Sequence, residues 1–597
     1  MSEDDSMTKD DRPDVRSTVT SLRRTLGFVG PYLRPQRPLL AGGLLTLLLE
    51  VAFRLVEPWP LKVVIDAVVT PNATGGYSVV TLLVVAAIAV FLAAALRALM
   101  SYLTTVCFAL AGTRAMTAVR SHIFAHVQRL SLRFHGRTKT GDLLTRLVGD
   151  VGRLQEVAVT AALPLLGNTI ALLGMTTVMV VMDWRLALIA LCVFPAFLYS
   201  GSEQSRKITS AARKQRKQEG DLAGTAGETL GAMKVVQAYS LERVLLGVFD
   251  RSNSKALRDS VKASRLAAGL ERRTDLLIGL ATGAVLLGGG SLAISGDLTP
   301  GELVVFVSYL KGAFKPMRDL AKYTGRLAKA AASGERIIDL LSTQPEVEDG
   351  PDARSAPRLS GDVHFEGVHV SYEPGTLALA GIDLHVRSGA RVGLVGPSGS
   401  GKSTLASLLL RFHDPVAGRV LVDGYDLRDL TLQSVRSQVA VVLQETVLFA
   451  TTVRENIRYG CPSASDEAVE AAAHQANAHE FIARLPEGYD TVVGERGESL
   501  SGGQRQRIAI ARAMLRDARI IILDEATTGL DTHNSRHVLE AMRRLTQGRT
   551  TFVISHEDDH VADCDMVIRL EHGRIVRPER PRTSADDAPT LSMAPLC

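Results

Sequence analysis

Gly396-Pro-Ser-Gly-Ser-Gly-Lys-Ser403 follows the apolar, valine-rich run Arg391–Val395 and precedes the helix-forming stretch Thr404–Phe412. In a strand, glycine-rich loop and helix arranged in this order, backbone N–H groups turn inward around phosphate oxygens. The helix N-terminus adds partial positive charge. Gly396, Gly399 and Gly401 let the backbone turn, with Ser398 between the first two and Thr404 opening the helix. Lys402 can reach β- and γ-phosphates, and the Ser403 hydroxyl can sit on Mg²⁺. Farther along, Arg519-Ile-Ile-Ile-Leu-Asp524-Glu525 reads as a buried parallel strand ending in two carboxylates. Such strands place their C-terminal ends at the ligand crevice. There Asp524 can hold magnesium through water, and Glu525 can orient and polarise an attacking water.

The chain has 597 residues, with 68 Lys+Arg against 63 Asp+Glu, a net charge of +5. That small excess over so long a chain is no nucleic-acid signature, and no nucleic-acid partner is expected. An apolar share of 46% with 22% charged residues excludes a disordered or collagen-like chain. The cysteines, Cys107, Cys192, Cys461, Cys564 and Cys597, have no CxxC spacing, which argues against a disulfide scaffold and a cysteine zinc site.

Apolar residues are unevenly spread. Val157–Met182 and Leu276–Ile294 carry no charge and read as membrane spans, because a ~30 Å hydrocarbon core needs about 20 helical residues. Leu39–Leu61, Val79–Leu103, Leu186–Ser200 and Leu303–Phe314 are weaker candidates, making six spans in all. Basic residues concentrate before the first span and in the long connections after the second and fourth. Both termini are therefore expected on the cytosolic side of the cell membrane. These connections are rich in Ala, Leu, Arg and Glu and poor in Pro, so the spans should run on as helices into the cytosol. Residues 1–20 and 578–597 read as disordered tails, 21–345 as the membrane part and 361–577 as an α/β P-loop domain.

Leu500-Ser501-Gly502-Gly503-Gln504 matches the signature motif of the ATP-binding cassette (ABC) family, and the chain resembles that family over about residues 20–577. The resemblance implies further roles. Tyr372 fits the aromatic residue that stacks on adenine. Gln444 fits the glutamine that contacts magnesium and senses the membrane part. His556 fits the switch histidine at the γ-phosphate. Gly494–Gly497 and Thr528–Asp531 fit the loops before the signature and after the catalytic strand. In the membrane half, Leu130–Leu144 and Glu228–Tyr239 are similar to coupling segments, and Ala332–Ile337 to the run joining the sixth span to the ATPase.

What the resemblance implies is an exporter-type half-transporter, an ATP hydrolase using ATP and Mg²⁺. Ser501 and Gly503 of one cassette would cover the nucleotide on Lys402 of another. Because every motif is present, a second copy is the favoured partner, with a heterodimeric partner as the alternative. Cargo would be a hydrophobic or amphipathic small molecule or lipid taken from or through the bilayer. Import of a small molecule such as a metal chelate through the same fold, and ATP-gated regulation, are the other readings.

Lys311, Lys315, Arg318 and Lys322 recur at spacings that share one helical face. Counted at about 1.5 Å per residue from Leu303, Lys311 and Lys315 lie roughly 12 and 18 Å into the hydrocarbon core. Glu50 reaches a similar depth in the first span, with Arg54 and Glu57 on its face. Two readings stay open. Glu50 pairs with Lys311 or Lys315 as a bridge or gate, or the basic face receives an anionic amphipath.

Overall fold

The computed structural model describes residues 15–69, 78–157, 163–373, 375–444, 446–494, 497, 499–525, 532–556 and 561–579. Within these ranges, the side chains of residues 15–19, 193–194, 196–206, 209, 213, 315, 317–318, 320–322, 324–325, 328, 373, 532–535 and 577–579 lie outside the description. The chain divides into two compact units, Met1–Gln128 with Thr138–Thr343, and Arg129–Arg137 with Gln344–Cys597.

The first unit is helical: α1 Val15–Leu33, α2 Arg37–Val56, α3 Trp59–Val69, α4 Val79–Arg129, α5 Leu163–Met182, α6 Trp184–Gly231, α7 Glu242–Ser295 and α8 Pro300–Ser342. The expected first span is broken between α2 and α3 at Glu57-Pro58, because Pro58 has no N–H to continue the ladder. α1 begins inside the stretch read as a tail. Its face packs on α8, with Thr25 and Val29 buried and Thr25 against Gly334, and this packing carries the helix back to Val15.

At 1.5 Å per residue the 51 residues of α4 extend about 76 Å, far more than a ~30 Å core. The helix continues without interruption beyond its apolar span, as the composition of its basic extension suggests. Local signals set the turns. Asp183 caps α6 by accepting the Leu186 N–H at 2.9 Å. Between α7 and α8, Gly296 ends one helix at φ 84°, and Thr299 and Glu302 form a capping box ahead of the other.

Four helical segments are long and apolar enough to cross a bilayer: Thr20–Val69, Val79–Arg129, Leu163–Met182 and Glu242–Ser295. Among the described residues, α8, which holds the expected sixth span, does not reach that mark, and many side chains of the expected fourth span, Leu186–Ser200, lie outside the description. The reason for α8 is its position. Val305, Phe306, Tyr309 and Leu310 of α8 pack into one core with Met175, Met179, Leu186, Ala281 and Val285. A helix enclosed by other helices needs less apolar surface than one facing lipid. Phe91, Val181, Leu287 and Ile294 are by contrast largely exposed, as lipid-facing side chains are in a chain considered without its bilayer.

A polar ladder joins α2 and α3 to α8. Trp59 Nε1 donates to Tyr309 Oη at 2.8 Å, Lys62 pairs with Glu302 at 3.0 Å, and the Gly301 N–H reaches Asp66 at 2.8 Å. Nearer the middle, Arg54 points at the Gly312 carbonyl at 3.5 Å. Glu57 pairs with Arg97 of α4 at 2.6 Å rather than with its own helix.

Asp150 is fully buried in this unit. Arg336 reaches its two oxygens at 2.8 and 2.6 Å, Ser333 donates at 3.0 Å, and Arg153 at 2.7 Å. Burial by itself would raise this carboxyl. The Arg336 and Ser333 hydrogen bonds and the Arg336 and Arg153 charges hold it below the ordinary carboxylate range.

The second unit holds the P-loop domain. Strands β1 Val363–Glu373, β2 Thr376–Val386, β4 Ala417–Val422 and β5 Tyr425–Asp426 form an antiparallel sheet in the order β2-β1-β4-β5. Strands β3 Arg391–Val395, β6 Val439–Val442, β7 Ile520–Asp524, β8 Thr550–Ile554, β9 Met566–Glu571 and β10 Arg574–Glu579 form a sheet in the order β10-β9-β3-β8-β7-β6. It is parallel except for β10. β3 and β7 are the two strands expected from sequence, and Ile520–Leu523 are buried as a parallel strand covered on both faces requires.

Arg129–Arg137, which contains helix Leu132–Arg137, belongs to this unit although it lies between two stretches of the helical one. Leu130 is buried, Arg129 pairs with Glu348 at 3.1 Å, and Arg133 lies 3.6 Å from Glu346.

Asp150→Asn is expected to cost about 3 kcal/mol, the low end for removing one partner of a buried pair, because Arg336 is half exposed. Since the folded-state pKa of Asp150 is depressed, its contribution is complete above the unfolded carboxylate value of about 3.9 and is lost as pH falls through the folded value. Thermal unfolding of solubilised protein should show a wild-type advantage that is flat from pH 7 to about 4. An advantage already vanishing at pH 6 would contradict the assignment.

Candidate nucleotide site

The glycine-rich loop leaves β3 and enters a helix, Lys402–Leu409, two residues earlier than expected and ending three residues earlier. Gly401 opens the helix with φ 105°, and Arg411 at φ 47° closes the turn after it, which explains both ends. The loop is built for bare backbone. A Cβ on Gly396, at φ 145°, would meet the Leu570 carbonyl at 2.1 Å, and one on Gly401 would meet Leu379 at 2.7 Å. Ser398, Gly399 and Ser403 are exposed, so the concave side of the loop is open to a ligand.

Lys402 is 5% exposed and turns back over the loop, donating to the Gly396 carbonyl at 2.8 Å and the Pro397 carbonyl at 3.0 Å. Burial pushes its ammonium below the ordinary lysine value, against the pull of Glu525 and Asp524. Asp524 ends β7. Burial, then the Glu525 charge, raises its carboxyl, while Lys402 and His556 act the other way. Glu525 sits at φ 46° with its N–H on the Ile554 carbonyl at 3.0 Å, and its Oε1 meets His556 Nε2. A left-handed non-glycine residue directly after a catalytic-edge strand is backbone strain concentrated at the point where the chemistry is expected.

The donor set fits ATP with a magnesium ion. A backbone cradle and a lysine suit phosphates, and the Ser403 hydroxyl, the Gln444 amide and the Asp524 carboxylate are hard oxygen donors. Gln444 follows β6, which pairs with β7 through Val442 and Leu523, so it leaves the sheet at the same end as Asp524. Tyr372, near the end of β1, donates to Thr404 Oγ1 at 3.1 Å and stands edge-on to His413, with ring centroids 5.0 Å apart. His413 was not singled out by the sequence. A histidine just after a phosphate-loop helix carries no local signal, and only the fold brings it to Tyr372.

Ser501 caps helix Gly502–Arg516. It accepts the Gln504 N–H at 3.3 Å, and Gln504 accepts the Ser501 N–H at 2.9 Å. This helix packs on Val453–Arg458, Asp466–Gln475, Thr532–Thr546 and β6, whereas Lys402–Leu409 packs on β2 and β8. The signature and the phosphate loop therefore belong to different parts of the domain. Thr528–Asp531 and residues 495 and 496 of the loop before the signature lie outside the described residues.

Among the described residues, no ion pair joins Glu50 to Lys311. Lys311 is exposed, and Arg54 is turned to the Gly312 carbonyl instead. The side chains of Lys315, Arg318 and Lys322 lie outside the described residues. Sequence reading missed Asp150–Arg336, whose partners are 186 positions apart, although a lone aspartate among Leu147, Val148 and Val151 could have flagged a buried charge.

Residues 40–317 match the family described as the ABC transporter transmembrane region, and residues 379–528 match that described as ABC transporter. The chain is 34% identical to the putative multidrug export ATP-binding/permease protein YgaD of Bacillus subtilis over 93% of its own length and 95% of the relative's. It belongs to the ABC transporter family. It is also 36% identical to an ATP-dependent lipid A-core flippase of Syntrophus aciditrophicus, over 80% of this chain and 79% of that one. A solved bacterial Atm1-family ABC exporter with ATP bound superposes with a TM-score of 0.74 at 31% identity, covering 91% of this chain and 95% of the other. This ABC transporter is thus a multi-pass membrane protein with the exporter fold, its membrane region fused to an ATP-binding, ATP-hydrolysing domain. It performs ATP-driven export, and the half-transporter fold implies dimerisation.

Gly396→Ala should leave the transporter folded and membrane-inserted but distort the loop against the Leu570 carbonyl. ATP affinity, read by a fluorescent nucleotide analogue, should fall at least tenfold. Unchanged affinity would show that the loop tolerates a side chain there.

Proposed function

We propose that two copies of this chain form an exporter that carries an amphipathic compound, a lipid or a drug-like molecule, out of the cytosol across the cell membrane. Residues 21–345 form the membrane part and 361–577 the cassette, with both termini cytosolic. The observation that carries the reading is the catalytic edge. Lys402, Asp524, Glu525 and His556 converge at the C-terminal end of the parallel sheet, next to a loop that accepts phosphates.

In this reading Lys402 and the loop N–H groups of Gly399, Gly401 and Ser403 bind the phosphates. Ser403, Gln444 and Asp524 would hold Mg²⁺, which neutralises phosphate charge when bound. Tyr372 places the base. Glu525 orients the attacking water, and His556, now on Glu525, turns to the γ-phosphate once nucleotide is in place. Ser501 and Gly503 of the partner subunit cover the nucleotide, so ATP favours the closed pair of cassettes. Arg129–Arg137, held on the cassette by Glu346 and Glu348, carries this change to the helices that precede and follow it. Hydrolysis releases the pair.

The experiment is a pair of variants in lipid. Glu525→Gln should bind ATP normally and stop turning over, with hydrolysis down at least a hundredfold. Lys402→Ala should lose nucleotide binding itself. Near-normal steady-state hydrolysis by Glu525→Gln would overturn the role given to Glu525.

Cargo is the second test. Lys311 is exposed and unpaired with Glu50, which supports an anionic group on the cargo. Lys311→Met should lower transport of an anionic amphipath several-fold while basal ATPase activity and thermal stability hold. Equal transport of anionic and neutral cargo by variant and wild type would remove that preference.

A further inference from the structure

Away from the nucleotide loop, two imidazoles and a carboxylate meet on the antiparallel sheet. His364 of β1 and His385 of β2 are directly opposite each other in the strand register. Their rings stack with centroids 3.7 Å apart and planes 21° from parallel. Both present Nε2 to the same residue. His364 Nε2 lies 2.8 Å from Asp362 Oδ1, and His385 Nε2 lies 3.0 Å from Asp362 Oδ2. One ligand atom from each of the three residues falls within 4.8 Å of the others. All three side chains are about one-third to one-half exposed, so an ion and its water can reach them.

We propose that Asp362, His364 and His385 form a binding site for one divalent transition-metal ion of the zinc class. Imidazole nitrogens select such ions over Mg²⁺, which prefers oxygen and keeps its waters. Metal–ligand bonds of about 2.0–2.1 Å place ligand atoms roughly 3.3 Å apart in a tetrahedron. The observed separations of 2.8 and 3.0 Å are within a few tenths of an ångström of this, and the stacked rings must also swing apart so that both in-plane lone pairs aim at one ion. Three protein ligands and a water complete four-coordination. On binding, each ring gives up the Nε2 proton now donated to Asp362, a neutral ring taking its proton on Nδ1 instead and a protonated ring releasing it to solvent, and the freed Nε2 lone pair goes to the metal.

The site stands on a fixed frame. Asp423 accepts the N–H groups of Gly361 at 3.1 Å and Asp362 at 2.8 Å, and the Ser360 hydroxyl at 2.6 Å. Thr550, fully buried, donates to the Gly361 carbonyl at 2.6 Å and accepts the Gly389 N–H at 2.9 Å. One hydroxyl thus ties the approach to β1 to the exit from β2. Gly361 at φ 95° has no room for a side chain, since a Cβ would lie 2.7 Å from Thr550 Oγ1. The backbone that carries the three ligands is fixed before any ion arrives, and a bound ion would cross-link the two strands.

The test uses the full-length transporter in detergent, purified without a histidine tag, stripped with chelator and free of nucleotide. Zn²⁺ is titrated in competition with a chromophoric chelator, for wild type, Asp362→Asn and the double variant H364N/H385N. Wild type should bind one more equivalent per chain than the double variant, and Asp362→Asn should bind that equivalent at least tenfold more weakly. Excess Mg²⁺ should not displace it. Equal stoichiometry and affinity in wild type and double variant would overturn the proposal, as would displacement by Mg²⁺. A measurement on wild type alone removes dependence on variant folding. X-ray absorption of the zinc-loaded protein should show two imidazoles in the coordination shell, and fewer than two would equally overturn it.

Discussion

One buried ammonium organises the catalytic edge. Lys402 is enclosed by the loop that carries it, held on the Gly396 and Pro397 carbonyls, with Asp524 and Glu525 near enough to act on its charge. A buried lysine costs free energy unless opposite charge or hydrogen bonds compensate it. Here the compensation comes from groups that also suit phosphate and magnesium, so a nucleotide enters a site whose charges are already arranged. The parallel sheet makes this possible by bringing the ends of β3, β7 and β8 to one rim. Glu525, in its left-handed conformation and bonded to the Ile554 carbonyl, is then aimed by the backbone rather than by its own rotamer alone.

The same arrangement sets what the rest of the chain must do. The signature helix, capped by Ser501, stands on a part of the cassette different from the phosphate loop, and the proposed dimer gives the covering of the nucleotide to a second cassette. The membrane-derived segment Arg129–Arg137 is seated in the cassette unit through Leu130 and two arginine–glutamate contacts. Those exposed pairs are individually weak. The buried Leu130, directly after the end of α4, anchors the segment in the cassette unit, and the ion pairs set its register.

Legibility of the chain followed the range of its interactions. β3, the glycine loop and β7 were readable because strand, turn and helix signals are local and the chemistry sits within a few residues of them. The helix after the loop was misplaced by two or three residues at each end because Gly401 and Arg411 adopt left-handed conformations that the apolar pattern does not encode. The breadth of the membrane region was readable from uncharged runs. The enclosed α8 was harder, since the exposed Lys311 and the Tyr309 hydroxyl that meets Trp59 interrupt an apolar pattern whose Val305, Phe306 and Leu310 are buried. The pairings of Asp150 with Arg336, Tyr372 with His413, and Asp362 with His385 were not legible, although Tyr372 itself was and the apolar neighbours of Asp150 hint at burial. Each pair is made by tertiary packing or strand register across many residues, and nothing local names the partner.

The central claim is that the nucleotide site is shared between two chains, and mixed dimers test it most directly. Two differently tagged chains are co-purified in two pairings, with Glu525→Gln in every chain to prevent turnover. In one pairing, Lys402→Ala is on one chain and Ser501→Arg on the other. In the second, both substitutions are on one chain beside a partner lacking them. If Lys402 of one chain works with Ser501 of the other, the first pairing keeps one intact site and should retain one labelled ATP per dimer, and the second should retain none. Retention by the second pairing and not the first would mean that each chain closes its own site, and the account would be wrong.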